Sequence, residues 1–78
     1  MVHTMEKSEA CIGANIRKIR QAKGVKQEDL LHMLHQCDVK ISRDELVKIE
    51  AGQQDITGAQ LKGIRDCLNT SFDELLQL

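Results

Sequence analysis

The stretch Lys23-Gly24-Val25-Lys26-Gln27-Glu28-Asp29-Leu30, and after it Ile41-Ser42-Arg43-Asp44-Glu45-Leu46-Val47-Lys48-Ile49-Glu50-Ala51-Gly52, decides the fold of this chain. In the second segment Ser42 stands three residues before Glu45, and Ile41 and Leu46 bracket the pair. A Ser hydroxyl accepts from the N–H three residues on, a Glu carboxylate reaches back to the Ser N–H, and the bracketing apolar pair staples the entry, so a helix starts here. Leu46 and Ile49 mark its buried face, and Gly52 stands where a residue with positive φ would end it. The spacing predicts a helix over 43–51. In the first segment Gly24 closes a preceding helix, and Val25 and Leu30 have the staple spacing around Lys26. Lysine offers no acceptor, so that helix starts on a weaker cap.

The same start signal recurs downstream. Thr57 with Gln60 is bracketed by Ile56 and Leu61, and Ser71 stands three residues before Glu74. Between the starts, apolar residues recur at helical spacing: Ile12, Ile16, Ile19; Leu30, Leu34, Cys37; Leu61, Ile64, Leu68; Phe72, Leu75, Leu76. Asn69 is placed to stop the helix before Ser71. Helices are expected over 9–23, 27–36, 43–51, 58–68 and 72–77. No single stripe is wide enough to stand alone, so the five must share one core. The first eight residues are expected to form a disordered segment ahead of a domain spanning 9–78.

Composition narrows the class. Seventy-eight residues suffice for one small domain, and with 41% hydrophobic residues but a single aromatic, Phe72, the core must be built from Leu and Ile. Proline is absent, as suits an all-α chain. Cys11, Cys37 and Cys67 are an odd number at wide spacing, which fits neither a disulfide framework nor a zinc knuckle. They are expected to be reduced thiols. Met1 to Ser8 carries no apolar run of the signal-peptide kind, and no uncharged stretch approaches the roughly 20 residues of a membrane span. A cytoplasmic location is expected.

Charge is unevenly distributed although the net charge is only −1. Arg17, Lys18, Arg20, Lys23 and Lys26 fall between Ile12 and Lys26 with no acidic residue among them, whereas Gln27 to Leu78 holds five basic and ten acidic residues. The first long helix is therefore a basic patch, and such patches suit phosphate backbones.

Taken together, Ile16-Arg17-Lys18-Ile19-Arg20, the two quoted segments and Leu68-Asn69-Thr70-Ser71-Phe72-Asp73-Glu74-Leu75-Leu76 resemble the Cro/repressor-type (XRE-like) helix-turn-helix family of bacterial and phage repressors. The resemblance covers residues 12 to 76. It implies a compact five-helix, lambda-repressor-like helix-turn-helix domain, all-α, that binds double-stranded DNA and regulates transcription, with helix 43–51 in the major groove. It implies that Arg43 and Asp44 open the recognition helix, with Val47 and Lys48 one turn further along the same face. Arg43 is the candidate for reading guanine, the alternative being a solvated side chain. By the same resemblance Gln27 meets a backbone phosphate at a helix N-terminus, and Arg17, Lys18 and Lys48 add sequence-independent phosphate contacts. Arg20 and Glu50 are implied to form a structural ion pair. The sequence departs from the family pattern in a longer turn from Gln36 to Ile41, in Glu45 and Val47 where small hydroxyl residues are frequent, and in Gln53-Gln54 after Gly52.

Two further groups bear on function. His32, His35 and Cys37 include metal-ligand types, but they form no tetrahedral set, and no metal and no cofactor are expected. Phe72, Leu75, Leu76 and Leu78 are more apolar than one short helix needs. They are candidates for a homodimer interface, or for closing the core against helix one. Dimerisation would suit a palindromic operator, whose half-sites lie ~34 Å apart. No catalytic constellation is present, so no enzyme activity is expected. The alternative to DNA regulation is a protein-interaction module with a repressor fold, whose acidic face engages a toxin or another regulator.

Overall fold

A computed structural model describes the backbone of residues 3–77 and the side chains of residues 12–77. Among the described residues there are five helices and no strand: α1 His3–Ala22, α2 Gln27–Gln36, α3 Arg43–Glu50, α4 Gly58–Leu68 and α5 Phe72–Leu75. Helix α1 starts earlier than expected, since neither Gly nor Pro interrupts the chain before Gly13. The expected N-terminal segment, 1–8, has its side chains outside the described residues. Helix α5 is shorter than expected: Leu76 is already its C-cap, donating its N–H to the Phe72 carbonyl at 2.8 Å.

The starts are built as their sequences dictate. Ser42 Oγ accepts from Glu45 N–H at 3.1 Å, while Glu45 accepts from Ser42 N–H at 2.9 Å. Thr57 and Gln60 do the same at 3.1 and 3.0 Å. At α2 only the reciprocal half exists: Lys26 N–H donates to the Asp29 carboxylate at 3.3 Å, with no acceptor on the Lys26 side chain. Gly24, Gly52 and Asn69 all adopt positive φ at helix ends.

Helix α2 is stopped by Asp38, at φ 62, a stop the sequence does not announce through glycine. Cys37 is its C-cap, and the Val39 N–H returns to the Leu34 carbonyl at 3.0 Å. Cys37 is consequently exposed, contrary to its expected place on the apolar stripe. The helical period ends before it, and Val39 packs on the core instead.

The core is aliphatic: Ile16, Leu30, Leu34, Ile41, Leu46, Ile49, Ile64, Leu68 and Leu75 are all buried. Burial of each large side chain contributes about 1.5–3 kcal/mol before chain entropy is counted. Leu75 is wholly buried, so of the two roles expected for it, dimer contact or closing the core against α1, the structure gives the second. It faces inward because Asn15 of α1 donates to the Leu75 carbonyl at 3.0 Å and to the Gln77 carbonyl at 2.6 Å, drawing the end of α5 onto α1. Phe72 and Leu76 remain exposed, and Leu78 lies outside the described residues.

Helices α1 and α3 touch through their backbones at Gly13, where a Cβ would lie 2.0 Å from the Ile49 carbonyl oxygen. A side chain there would push α3 away.

Candidate nucleic-acid interface

Helix α3 is held from beneath by a buried network. Arg20 donates through Nε and Nη2 to both Glu50 carboxylate oxygens, each at 2.9 Å. Its third nitrogen, Nη1, donates to the Val25 carbonyl at 3.0 Å, and Gln27 Nε2 donates to Glu50 at 3.0 Å. This two-pronged geometry, typical of guanidinium with carboxylate, joins α1, the α1–α2 turn, α2 and α3 at one point. Among the described residues no buried side-chain nitrogen or oxygen lacks a partner.

The α2–α3 turn is held from two sides. His35 Nε2 lies 2.6 Å from the Ile41 carbonyl oxygen, and because a carbonyl only accepts, this nitrogen carries the proton. Gln60, buried on α4, donates to the Lys40 carbonyl at 3.2 Å. The residues just before the Ser42 cap are therefore fixed, and with them the direction in which α3 leaves the turn.

Above this base, two shallow depressions gather four of the seven implied contact residues, and Asp44, Lys48 and Lys18 line neither. One is lined by Lys26, Gln27, Glu28, Leu31, Arg43 and Leu46. The other brings Arg17 and Gln21 of α1 beside Gln27, Val47 and Ala51. Arg17, Gln27, Arg43 and Val47 thus share one side of the molecule. Lys18 is exposed but lines neither depression. Arg43 has no ion-pair partner among the described residues. Lys48 is instead tied to Asp44 at 3.1 Å across one turn of α3. Glu45 faces inward to its cap and accepts from Gln54 Nε2 at 3.4 Å, so part of its charge is spent within the protein.

His32, His35 and Cys37 do not come together as a ligand set: His32 is exposed and His35 is committed to Ile41. Among the described residues no group of three or more His, Cys, Asp or Glu side chains could hold a metal ion. No helix among them is long and apolar enough to cross a membrane. Sequence reasoning missed Asn15, His35, Asp38 and Gln60 as positioning residues. Of these only Gln60 carried a signal, as the third residue after a Thr cap.

Fold and face define a small all-helical domain in which a short exposed helix is presented after a turn and braced from below. A family model described as helix-turn-helix matches residues 16–75. The chain belongs to the Cro/repressor-type (XRE) helix-turn-helix family, a family of DNA-binding regulatory domains. No curated protein and no solved structure matches it.

Proposed function

We propose that the protein is a sequence-specific transcription regulator, acting as a repressor, that binds a palindromic operator as a homodimer and inserts α3 into the major groove. The observation that carries this reading is the convergence of Arg17, Gln27, Arg43 and Val47 on one exposed side, above the Arg20–Glu50–Gln27 brace. In this reading Arg43 pairs with guanine N7 and O6, Val47 offers an apolar contact to a thymine methyl, and Asp44 can accept from a cytosine amine. Gln27 meets a phosphate at the positive end of α2, while Arg17, Lys18 and Lys48 neutralise neighbouring phosphates. The exposed Phe72 and Leu76, with Leu78, form the apolar part of the dimer contact. The role is binding, in the cytoplasm, without cofactor, metal or catalysis.

A second reading has its own observation. Asp44 neutralises Lys48 on the recognition helix, and this weakens the face toward phosphates. The same face would then suit a protein partner carrying basic residues.

Fluorescence anisotropy of a duplex from upstream of its own gene, against a scrambled duplex and at two salt concentrations, separates the two. DNA regulation requires preference for the native duplex and a log–log salt slope of about −0.9 per phosphate contacted. Arg43→Ala should weaken native binding by about 1–3 kcal/mol and reduce the preference. Failure of the folded protein to bind either duplex at low salt would sink the DNA reading and leave the protein-partner one.

A further inference from the structure

The α2–α4 seam ends in two thiols. Helix α4 approaches α2 so closely at Gly63 that a Cβ there would lie 2.6 Å from Val39 Cγ2 and 3.1 Å from Leu34 Cδ2. Cys67 stands one helical turn beyond Gly63 on α4, and Cys37 lies between Leu34 and Val39 at the C-cap of α2. Cys37 lines one surface depression together with Val39, Gly63 and Asp66, the residue just before Cys67. Neither is in a disulfide: Cys37 is exposed and Cys67 is half-buried. The backbone at Cys37 is fixed, since its N–H donates to the Met33 and Leu34 carbonyls at 3.2 and 3.1 Å. Neither cysteine lines the depressions assigned to DNA.

We propose that Cys37 and Cys67 form an oxidation site that takes a peroxide and converts it into an intramolecular disulfide joining α2 to α4.

The chemistry divides between the two sulfurs by exposure. Cys37, at the surface, meets the oxidant first: its sulfur attacks hydrogen peroxide, the O–O bond breaks, one oxygen leaves as water and the other stays as sulfenic acid. Sulfur is oxidised by two electrons and the peroxide is reduced by two. The Cys67 sulfur then attacks the Cys37 sulfur, the S–S bond forms, the S–O bond breaks and a second water carries off the thiol proton. Two thiols and one peroxide give one disulfide and two waters. Burial, then the neighbouring Cys37 thiol and the Asp66 carboxylate, push the Cys67 thiol up to about 11. Half-buried, Cys67 is screened from the oxidant that reaches the exposed Cys37, and it takes part in the second step only. The bridge would close a loop containing all of α3 and restrict the unfolded chain. In a reducing compartment a small thiol reverses it, as for other transient cytosolic disulfides.

The test is a non-reducing peptide map of the full-length native protein, alkylated after treatment with equimolar hydrogen peroxide at neutral pH. Trypsin should release 27–40 joined to 66–78, at a mass two hydrogens below the sum of the two peptides. Dithiothreitol should separate them. The oxidised protein should melt roughly 10 °C higher than the reduced one. In Cys67→Ser the reaction should stop at sulfenic acid on Cys37, trapped by dimedone. A map in which Cys37 proceeds to sulfinic acid, or pairs with Cys11 or with a second chain, while the 27–40/66–78 species is missing, overturns the proposal. Both outcomes are read on the native chain and require neither a variant nor DNA binding.

Discussion

Arg20 and Glu50 pair with side chains 9% and 4% exposed, whereas Lys48 and Asp44 pair with side chains 48% and 75% exposed, and both pairs engage the same helix, α3. The buried pair surrenders the hydration of two charges. That loss is offset only because the carboxylate is gripped by two guanidinium nitrogens and by Gln27, while the third guanidinium nitrogen finds the Val25 carbonyl. The exposed pair surrenders little and gains little, a few tenths of a kcal/mol for an i,i+4 contact at best. The inward face of α3 is therefore a foundation whose parts cannot be removed singly. Its outward face is a surface whose charge can be edited without disturbing the fold.

The largest effect should follow from breaking the foundation. Glu50→Ala leaves the Arg20 guanidinium buried without its partner and should lower unfolding free energy by about 3–5 kcal/mol. In a domain this small that is much of the total. Urea denaturation followed by circular dichroism measures it. The double variant Arg20→Met/Glu50→Leu, which removes both charges and keeps apolar volume, should recover most of the loss. A double variant as unstable as the single one would mean that the pair fixes a geometry apolar packing cannot replace.

A smaller loss should come from the turn that aims α3. Removing the imidazole in His35→Ala leaves the Ile41 carbonyl without its partner, and should cost about 1–2 kcal/mol in the same denaturation experiment. If the variant is as stable as the native chain, the His35 contact does not hold the turn.

The sequence makes the helix starts and stops legible because they depend on short, chemically specific spacings. Ser42 with Glu45 and Thr57 with Gln60 became reciprocal caps, and Gly24, Gly52 and Asn69 became positive-φ stops. Arg20 and Glu50 were readable only through family resemblance, since nothing local links residues so far apart in the chain. What stayed hidden depends on how helices meet. Gly13 carries no signal until Ile49 is placed against it, and Leu75 is open to either a dimer contact or the core until Asn15 draws the end of α5 onto α1. Asp38 closes α2 without the glycine that usually signals such a stop, and its φ moved Cys37 from the core to the surface. On the candidate site, the sequence named the residues but not that Asp44 neutralises Lys48.

That neutralisation gives the test from the exposed side. Asp44→Asn should shift stability by less than about 0.5 kcal/mol, since the pair is exposed. It should nevertheless tighten general DNA binding, because one negative charge leaves the face and the Lys48 ammonium is released. If Lys48 then engages a phosphate, the salt slope should steepen by about 0.9. Unchanged affinity and slope would place Lys48 outside the phosphate contacts.

Between the buried and the exposed pair stands Cys67, half-buried, and its effect is the smallest at neutral pH because the thiol is protonated there in both folded and unfolded chains. In the unfolded chain the thiol ionises near its ordinary value of 9.0, while burial in the folded protein raises it to about 11. Within that interval the folded protein holds a proton that the unfolded chain has lost, so stability must fall as pH rises from about 9 through about 11. The decisive quantity is therefore a difference between two chains at each pH. Stability of the reduced native chain minus that of Cys67→Ala, measured by urea titration at about pH 8 and again near pH 10.5, should shrink with pH. A difference that stays constant would mean that solvent reaches the Cys67 sulfur freely. Cys67 would then belong with the exposed pair, as a group the fold does not protect.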